Sequence, residues 1–180
     1  MKKNAKVVFK GIIFDTYHYP QRMYDGSIQT FEFIKRPDTV CVIAVKEGKI
    51  IVERQSQPDR KGWYYSLVAG RAEKDEKPLD AAKRELLEET GHKSSRWKLI
   101  RTYHPFSKID WNLYIFIAAG CVEVSAPNLD AGEKIKLLYY TPEEFIKLCR
   151  DRNFMEMELS LDVLRMIKSE LAAFKKLIIK

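Results

Sequence analysis

The sequence predicts an α+β fold, a mixed β-sheet sandwiched by helices, and three observations carry that expectation. Short apolar or alternating runs, separated by turn residues, recur along most of the 180-residue chain. One amphipathic segment of helical period interrupts them at 79–90. Two further helical patterns follow residue 141.

In chain order, 6–15 and 28–36 read as strands, with Asp25-Gly26 as a turn between them. Phe31 and Phe33 alternate with polar neighbours, as on a half-buried strand. The run 39–45 is more continuously apolar, and Glu47-Gly48 turns it back into 49–53 as a hairpin. Further strands are expected at 64–69, 97–104, 113–119 and 135–140. In the central helix Pro78 suits the first turn, where its missing N–H costs nothing. Leu79, Ala82 and Leu86 form its apolar stripe, and Gly91 stands where a left-handed C-cap is expected. Thr141-Pro142-Glu143-Glu144 supplies an N-cap, an N1 proline and a capping-box glutamate for the next helix. Leu159, Leu161, Leu164, Ile167, Leu171, Phe174 and Ile178 then mark one face of a long helix, for core or dimer packing.

The length fits one domain, and 46% hydrophobic residues support a substantial core. No stretch approaches the ~20 apolar residues that span a membrane. Lys10 and Asp15 interrupt the apolar run near the start, which reads as a strand and not as a signal peptide. The net charge of +7 comes from dispersed basic residues, without a zinc, helix-turn-helix or RNA-binding signature, so a nucleic-acid partner is not expected. Cys41, Cys121 and Cys149 are scattered and form no CxxC pair; buried free thiols and a reducing cytoplasm follow. His18, His92 and His104 lack metal spacing and read as surface or boundary residues.

Residues 70–92 read GRAEKDEKPLDAAKRELLEETGH and carry most of the functional information. Glu85, Glu88 and Glu89 stand at i, i+3 and i+4, so they project from one helix face. Each close like-charge pair costs roughly 0.2–0.5 kcal/mol unless a cation intervenes. A solvated acidic face with Lys83 and Arg84 as charge partners is the alternative for three glutamates alone. Oxygen ligands at this density suit Mg2+, or Mn2+ in its place, and not Zn2+.

The spacing Gly70, five residues, Glu76, seven residues, Arg84-Glu85-Leu86-Leu87-Glu88-Glu89-Thr90-Gly91 resembles the Nudix box, with His92 in place of its usual closing aliphatic residue. The resemblance covers about 38–150 and implies a hydrolase of a nucleoside diphosphate linked to another moiety. It implies Glu85 and Glu89 as the main metal ligands, Glu88 close by, the Ala69 carbonyl as a backbone ligand, Arg84 as organiser of the carboxylates and Glu76 as buttress. Related enzymes place a catalytic glutamate in the loop before the last strand, where Glu133 is the first candidate for general base and Asp130 the second, with Glu73 in the box loop as a substitute. Residues 1–37 are similar to the extra strands of the ADP-ribose pyrophosphatase branch, which implies a homodimer, and 38–180 would then be the hydrolase domain. That branch has a glutamate near Ser66 and an arginine near Ser56, where Arg54 and Gln55 are the neighbours here. The substrate expectation is ADP-ribose or a related nucleotide sugar; GDP-mannose, a dinucleoside polyphosphate, an oxidised nucleotide and a non-catalytic nucleotide-sensing module are the alternatives. Trp63, Tyr64 and Tyr65 read either as base-stacking residues or as strand aromatics in the core. The 104–107 segment is a candidate substrate-shaping loop.

Overall fold

The computed structural model describes residues 2–167. Its strands are β1 (Lys6–Lys10), β2 (Asp15–Arg22), β3 (Ile28–Lys35), β4 (Thr39–Lys46), β5 (Lys49–Ser56), β6 (Tyr64–Ser66), β7 (Val68–Arg71), β8 (His92–Lys93), β9 (Arg96–Tyr103), β10 (Ile109–Asp110), β11 (Leu113–Ala119), β12 (Val122–Glu123) and β13 (Lys134–Tyr140). The helices are α1 (Pro78–Thr90), α2 (Pro142–Leu148) and α3 (Met157–Ile167). The expected α+β sandwich is what forms. The main sheet runs β13-β5-β4-β11-β9, with β6 on β5 and β7 on β4.

Strict alternation along β4 builds both sides of the sandwich. Val40, Val42 and Ala44 pack with Ala81, Ala82 and Leu86 of α1. Cys41, Ile43 and Val45 pack on the opposite face with Phe145, Phe154, Leu159 and Val163. A strand buried on both faces needs this unbroken apolar run, and each fully buried aliphatic side chain contributes roughly 1.5–3 kcal/mol. β4 pairs in parallel with β11 from Thr39↔Leu113 to Val45↔Ala119.

The β4–β5 hairpin opens immediately after its turn. Glu47 and Gly48 both have positive φ, 50° and 76°, which matches the twist of a tight hairpin. Only Val45↔Ile50 and Lys46↔Lys49 pair directly. Beyond them the strands diverge, and the chain returns into the gap twice, β6 against β5 and β7 against β4. The single strand expected at 64–69 is therefore two, broken at Leu67. The Leu67 amide leaves the ladder and donates to the Glu156 carboxylate at 3.1 Å. This crossing seats β7 on β4 with Val68 and Gly70 toward α1 and the Ala69 side chain toward the opposite core.

The N-terminal expectation also needs correction. The run 6–15 breaks after Lys10, where the Gly11 amide bonds the Phe14 carbonyl at 3.1 Å, and β2 begins at Asp15. β2 went unread because it is polar and contains Pro20. Pro20 is tolerated because β1 covers β2 only from Asp15 to His18, leaving Pro20 on an open edge. Asp25-Gly26 then joins β2 to β3. These strands and β10 form a separate sheet in the order β1-β2-β3-β10.

α2 opens with the expected capping box: the Glu144 amide donates to Thr141 Oγ1 at 3.2 Å, and the Thr141 amide to Glu144 Oε2 at 2.8 Å. In α3 the buried pair is Leu159 and Val163, four residues apart, whereas Leu161 is 55% exposed. Residues two apart on a helix point to nearly opposite sides, so Leu161 cannot share the face of Leu159. Leu171, Phe174 and Ile178 lie outside the described residues. All three cysteines are buried free thiols, and no described helix is long and apolar enough to cross a membrane.

Glu156 sits between β6 and α3 with Oε2 shut off from solvent and without a hydrogen-bond partner among the described residues. Burial pushes its carboxyl up to about 8. A folded-state value above the unfolded one favours folding at acid pH, and the benefit is lost as pH rises from about 4.5 through 8. Glu156→Gln keeps an acceptor for Leu67 and removes the charge. Melting curves at pH 5 and pH 8.5 are expected to show the variant gaining on the wild type at the higher pH, by roughly 2–4 °C for each 1 kcal/mol relieved.

Candidate active site

α1 is held at both ends. Pro78 starts it, and Gly91 closes it at φ 70° with its amide on the Leu87 carbonyl at 2.8 Å. A Cβ at Gly91 would strike the Ser125 carbonyl. The Gly91 carbonyl receives the amides of Val124 and Ser125, and the Glu88 carbonyl that of Asn128, at 2.8 Å. Carbonyls of the last helical turn, which have no partner within the helix, are thereby satisfied. The same bonds lay the segment before β13 along the carboxylate end of α1 and bring Asp130 and Glu133 to it.

At the other wall the β7 loop approaches so closely that a Cβ on Gly70 would occupy the space of the Glu85 carboxylate. This is the physical reason for glycine at that position. The Ala69 amide donates to Glu89 Oε2 at 3.0 Å. The contact made here by Ala69 is through its N–H, whereas the resemblance implied its carbonyl as a ligand.

Arg84 organises the acidic groups. Its Nε and Nη2 grip Glu76 in a bidentate pair, both at 3.0 Å. Nη1 reaches Glu85 Oε1 at 2.8 Å and Glu88 Oε2 at 3.0 Å, and Nη2 also donates to the Arg71 carbonyl at 3.0 Å. Glu76 in turn accepts the Glu73 amide at 2.8 Å. The Arg84 hydrogen bonds draw the Glu76 carboxyl below its usual range, and Glu76 first among its partners raises the Arg84 guanidinium. Lys83 instead pairs with Asp80 at 3.8 Å.

Glu89 is only 6% exposed. Burial raises its carboxyl well above normal, reinforced by Glu53 and Glu85 and opposed by the Ala69 amide. Burial raises Glu85 too, against the pull of Arg84. Glu53 lies beneath, wholly buried, pushed up to about 8 by desolvation. Its Oε2 accepts Ser66 Oγ at 3.3 Å and Gln55 Nε2 at 3.4 Å, while Oε1 has no partner among the described residues. Glu53 escaped the sequence reading. Its signal was a lone carboxylate two residues after Ile51, and hence on the α1-facing side of β5.

A cavity of about 600 Å3 joins these groups, lined by Ala69, Gly70, Arg84, Glu85, Glu88 and Glu89 on one side and by Asp130 and Glu133 on another. Arg36, Arg71 and Glu73 also line it, together with Ile13, Gln57 and Asn128, and neither arginine was singled out from the sequence. Trp63, Tyr64, Tyr65 and the 104–107 segment do not line it. Tyr64 is buried and donates to Gln55 Oε1 at 3.1 Å, Tyr65 packs on the core, and Trp63 is exposed beneath the Arg54 guanidinium. His92 is fully buried, with Nδ1 2.7 Å from the Thr90 carbonyl, so it is a core residue and not a boundary one.

The donor set fits a hard divalent cation: carboxylates crowd one helix face, and two have been raised by burial and mutual repulsion. Among the described residues no three such groups already close around one point, since Arg84 engages Glu85 and Glu88. Arg84 thus acts as the internal counter-charge that keeps the carboxylates together.

The comparisons agree with this geometry. The chain matches the NUDIX domain family over residues 35–157. It is 30% identical over 148 residues to an ADP-ribose pyrophosphatase of Bacillus subtilis (strain 168), covering 81% of this chain and 80% of that one. It is 26% identical over 135 residues to a methanol dehydrogenase activator of Bacillus methanolicus, covering 73% of each. A crystal structure of an ADP compounds hydrolase superposes with a TM-score of 0.74 at 19% identity, over 95% of this chain and 93% of that one, a likeness of fold. A glycine-dependent loop, an arginine-bound trio of glutamates and a family match across the central sheet and α1 lead to one conclusion: this chain belongs to the NUDIX family.

Proposed function

We propose that the protein is a Mg2+-dependent pyrophosphohydrolase that cleaves ADP-ribose or a related nucleoside diphosphate sugar into a nucleoside monophosphate and a sugar phosphate. The observation that carries this reading is the convergence of Glu85, Glu88 and Glu89 with loop carboxylates Asp130 and Glu133 on one cavity, with Gly70 admitting the close approach. The relative of 30% identity, named for ADP-ribose hydrolysis, favours that substrate class.

Glu85 and Glu89 are the principal metal ligands in this proposal, with Glu88 and the Ala69 carbonyl beside them. When bound there, Mg2+ (or Mn2+) would neutralise diphosphate oxygens and acidify a water. Arg84 fixes the carboxylates in place by charge-assisted hydrogen bonds, and Glu76 fixes Arg84. Glu133 is the proposed general base and takes the proton of the attacking water. The Asp130 amide donates to Glu133 Oε2 at 3.1 Å, which orients that carboxylate. Three free thiols suit a reducing compartment, and we assign the protein to the cytoplasm.

The N-terminal strands 1–37 are proposed to form a homodimer. Val8, Phe9 and Ile12 are 51%, 63% and 101% exposed on and beside β1, an apolar surface that a monomer rarely leaves open.

With ADP-ribose and Mg2+, the Glu85→Gln, Glu89→Gln double variant is expected to lose AMP release and Mn2+ affinity together; unchanged release would overturn the mechanism. A panel adding GDP-mannose and a dinucleoside polyphosphate ranks the substrates. Glu133→Gln is expected to lower kcat by about 10²–10⁴-fold and flatten the pH–rate profile while Mn2+ affinity holds. Light scattering is expected to give twice the 21.1 kDa chain mass; a monomer would remove the dimer.

A further inference from the structure

Gln57 lines the cavity, and the proposed reaction gives it no part. It stands one residue beyond β5, in step with Glu53 and Gln55 on that strand. The Arg60 amide donates to its carbonyl at 3.1 Å, so a turn fixes its backbone.

A buried chain of hydrogen bonds fixes which way its side chain is turned. Ser66 Oγ gives its one proton to Glu53 Oε2, at 3.3 Å. Toward Gln55 that hydroxyl can then only accept, and Gln55 Nε2 donates to it. The second Nε2 proton of Gln55 goes to Glu53 Oε2 at 3.4 Å. Gln55 Oε1 accepts the Tyr64 hydroxyl at 3.1 Å and Gln57 Nε2 at 3.2 Å. Both donors and both lone pairs of this buried carboxamide are thereby used. A flipped Gln55 would set its oxygen against the Glu53 carboxyl and leave buried groups unpaired.

Gln57 must therefore turn Nε2 to Gln55. What it has left for the cavity is Oε1 and one N–H, a neutral edge that accepts as well as donates. A phosphoryl oxygen only accepts, so the Gln57 oxygen repels it. A sugar hydroxyl donates and accepts, and it can meet this edge on either atom. The carboxylates of the wall suit a cation, and Gln57 adds beside them a group suited to neither metal nor phosphate.

We propose that Gln57 is a specificity-determining residue of this cavity, and that its carboxamide edge, set by Gln55, takes a sugar hydroxyl of the substrate. The inference rests on reading the cavity as a site for a nucleoside diphosphate sugar and adds to it a residue that tells the sugar part from the phosphates.

Calorimetric titrations with Mg2+ present, using ADP-ribose, ADP and inorganic pyrophosphate, test it. Where the wild type cleaves ADP-ribose, KM and inhibition constants from AMP release take their place. Gln57→Met keeps the length of the side chain and removes the amide edge. It is expected to weaken ADP-ribose binding by about 3–10-fold and leave kcat and pyrophosphate affinity unchanged. Unweakened ADP binding in the same variant assigns the hydroxyl to the sugar beyond the diphosphate, and an equal loss for ADP assigns it to the ribose of the nucleoside. An equal loss for all three ligands would overturn the proposal, as would wild-type ADP-ribose affinity in the folded variant. If Gln57→Met does not fold, Gln57→Asn decides, because its shorter amide cannot span Gln55 and the substrate; wild-type ADP-ribose affinity in it would overturn the proposal. Gln57-dependent ADP-ribose binding without turnover of any nucleotide sugar would retire the hydrolase reading and leave this inference standing. Turnover with Gln57-independent affinity would do the reverse. A wild type that neither binds nor cleaves a nucleotide sugar would overturn both.

Discussion

Arg84 uses all five of its N–H groups, on Glu76 twice, on Glu85, on Glu88 and on the Arg71 carbonyl. The two sides of the cavity meet at this residue. Arg71 ends β7, Glu76 belongs to the loop between β7 and α1, and Glu85 and Glu88 belong to the helix itself. The guanidinium therefore sets the distance between loop and helix while cancelling the repulsion that would drive the glutamates apart. Gly70 can lie against Glu85 only because Arg84 keeps Glu85 there.

Beneath this hub the protein accepts an electrostatic cost. Glu53 and Glu89 are nearly inaccessible to water, adjacent and of like charge, and both are raised by burial. Ser66, Gln55 and the Ala69 amide offset part of that cost with hydrogen bonds. Buried acids so placed serve recognition more readily than stability, which is what the proposed cation site requires.

The helix that bears the acidic groups was legible in the sequence because its chemistry is written at fixed local spacing. Pro78, Gly91 and the 85–88–89 triplet need only helical geometry to be placed. Thr141 with Glu144, and Glu47-Gly48, are equally local. Glu133 was reached through a resemblance, and what brings it to α1 is the bond from Asn128 to the Glu88 carbonyl, a contact forty residues long that no local pattern encodes. Glu53 and Arg36 were missed for the same reason. Their meaning depends on which strand neighbours which: Arg36 reaches the cavity from the end of the N-terminal sheet, and Glu53 lies buried beneath Glu89 without lining the cavity itself. Leu161 failed differently, since apolar residues at spacing two were assigned to one face of a helix.

The opened hairpin has a consequence for how the protein is made. β4 and β5 meet at their turn quickly, but Ala69 and Gly70 can take their places only once β7 has settled on β4. β4 in turn gains its other neighbour, β11, from more than seventy residues downstream. Contacts so distant in sequence must close long loops before they stabilise the fold, and this closure slows folding. The cavity therefore depends on these long-range pairings, and a chain in which β7 has not docked on β4 holds its glutamates without the loop that would make them a site.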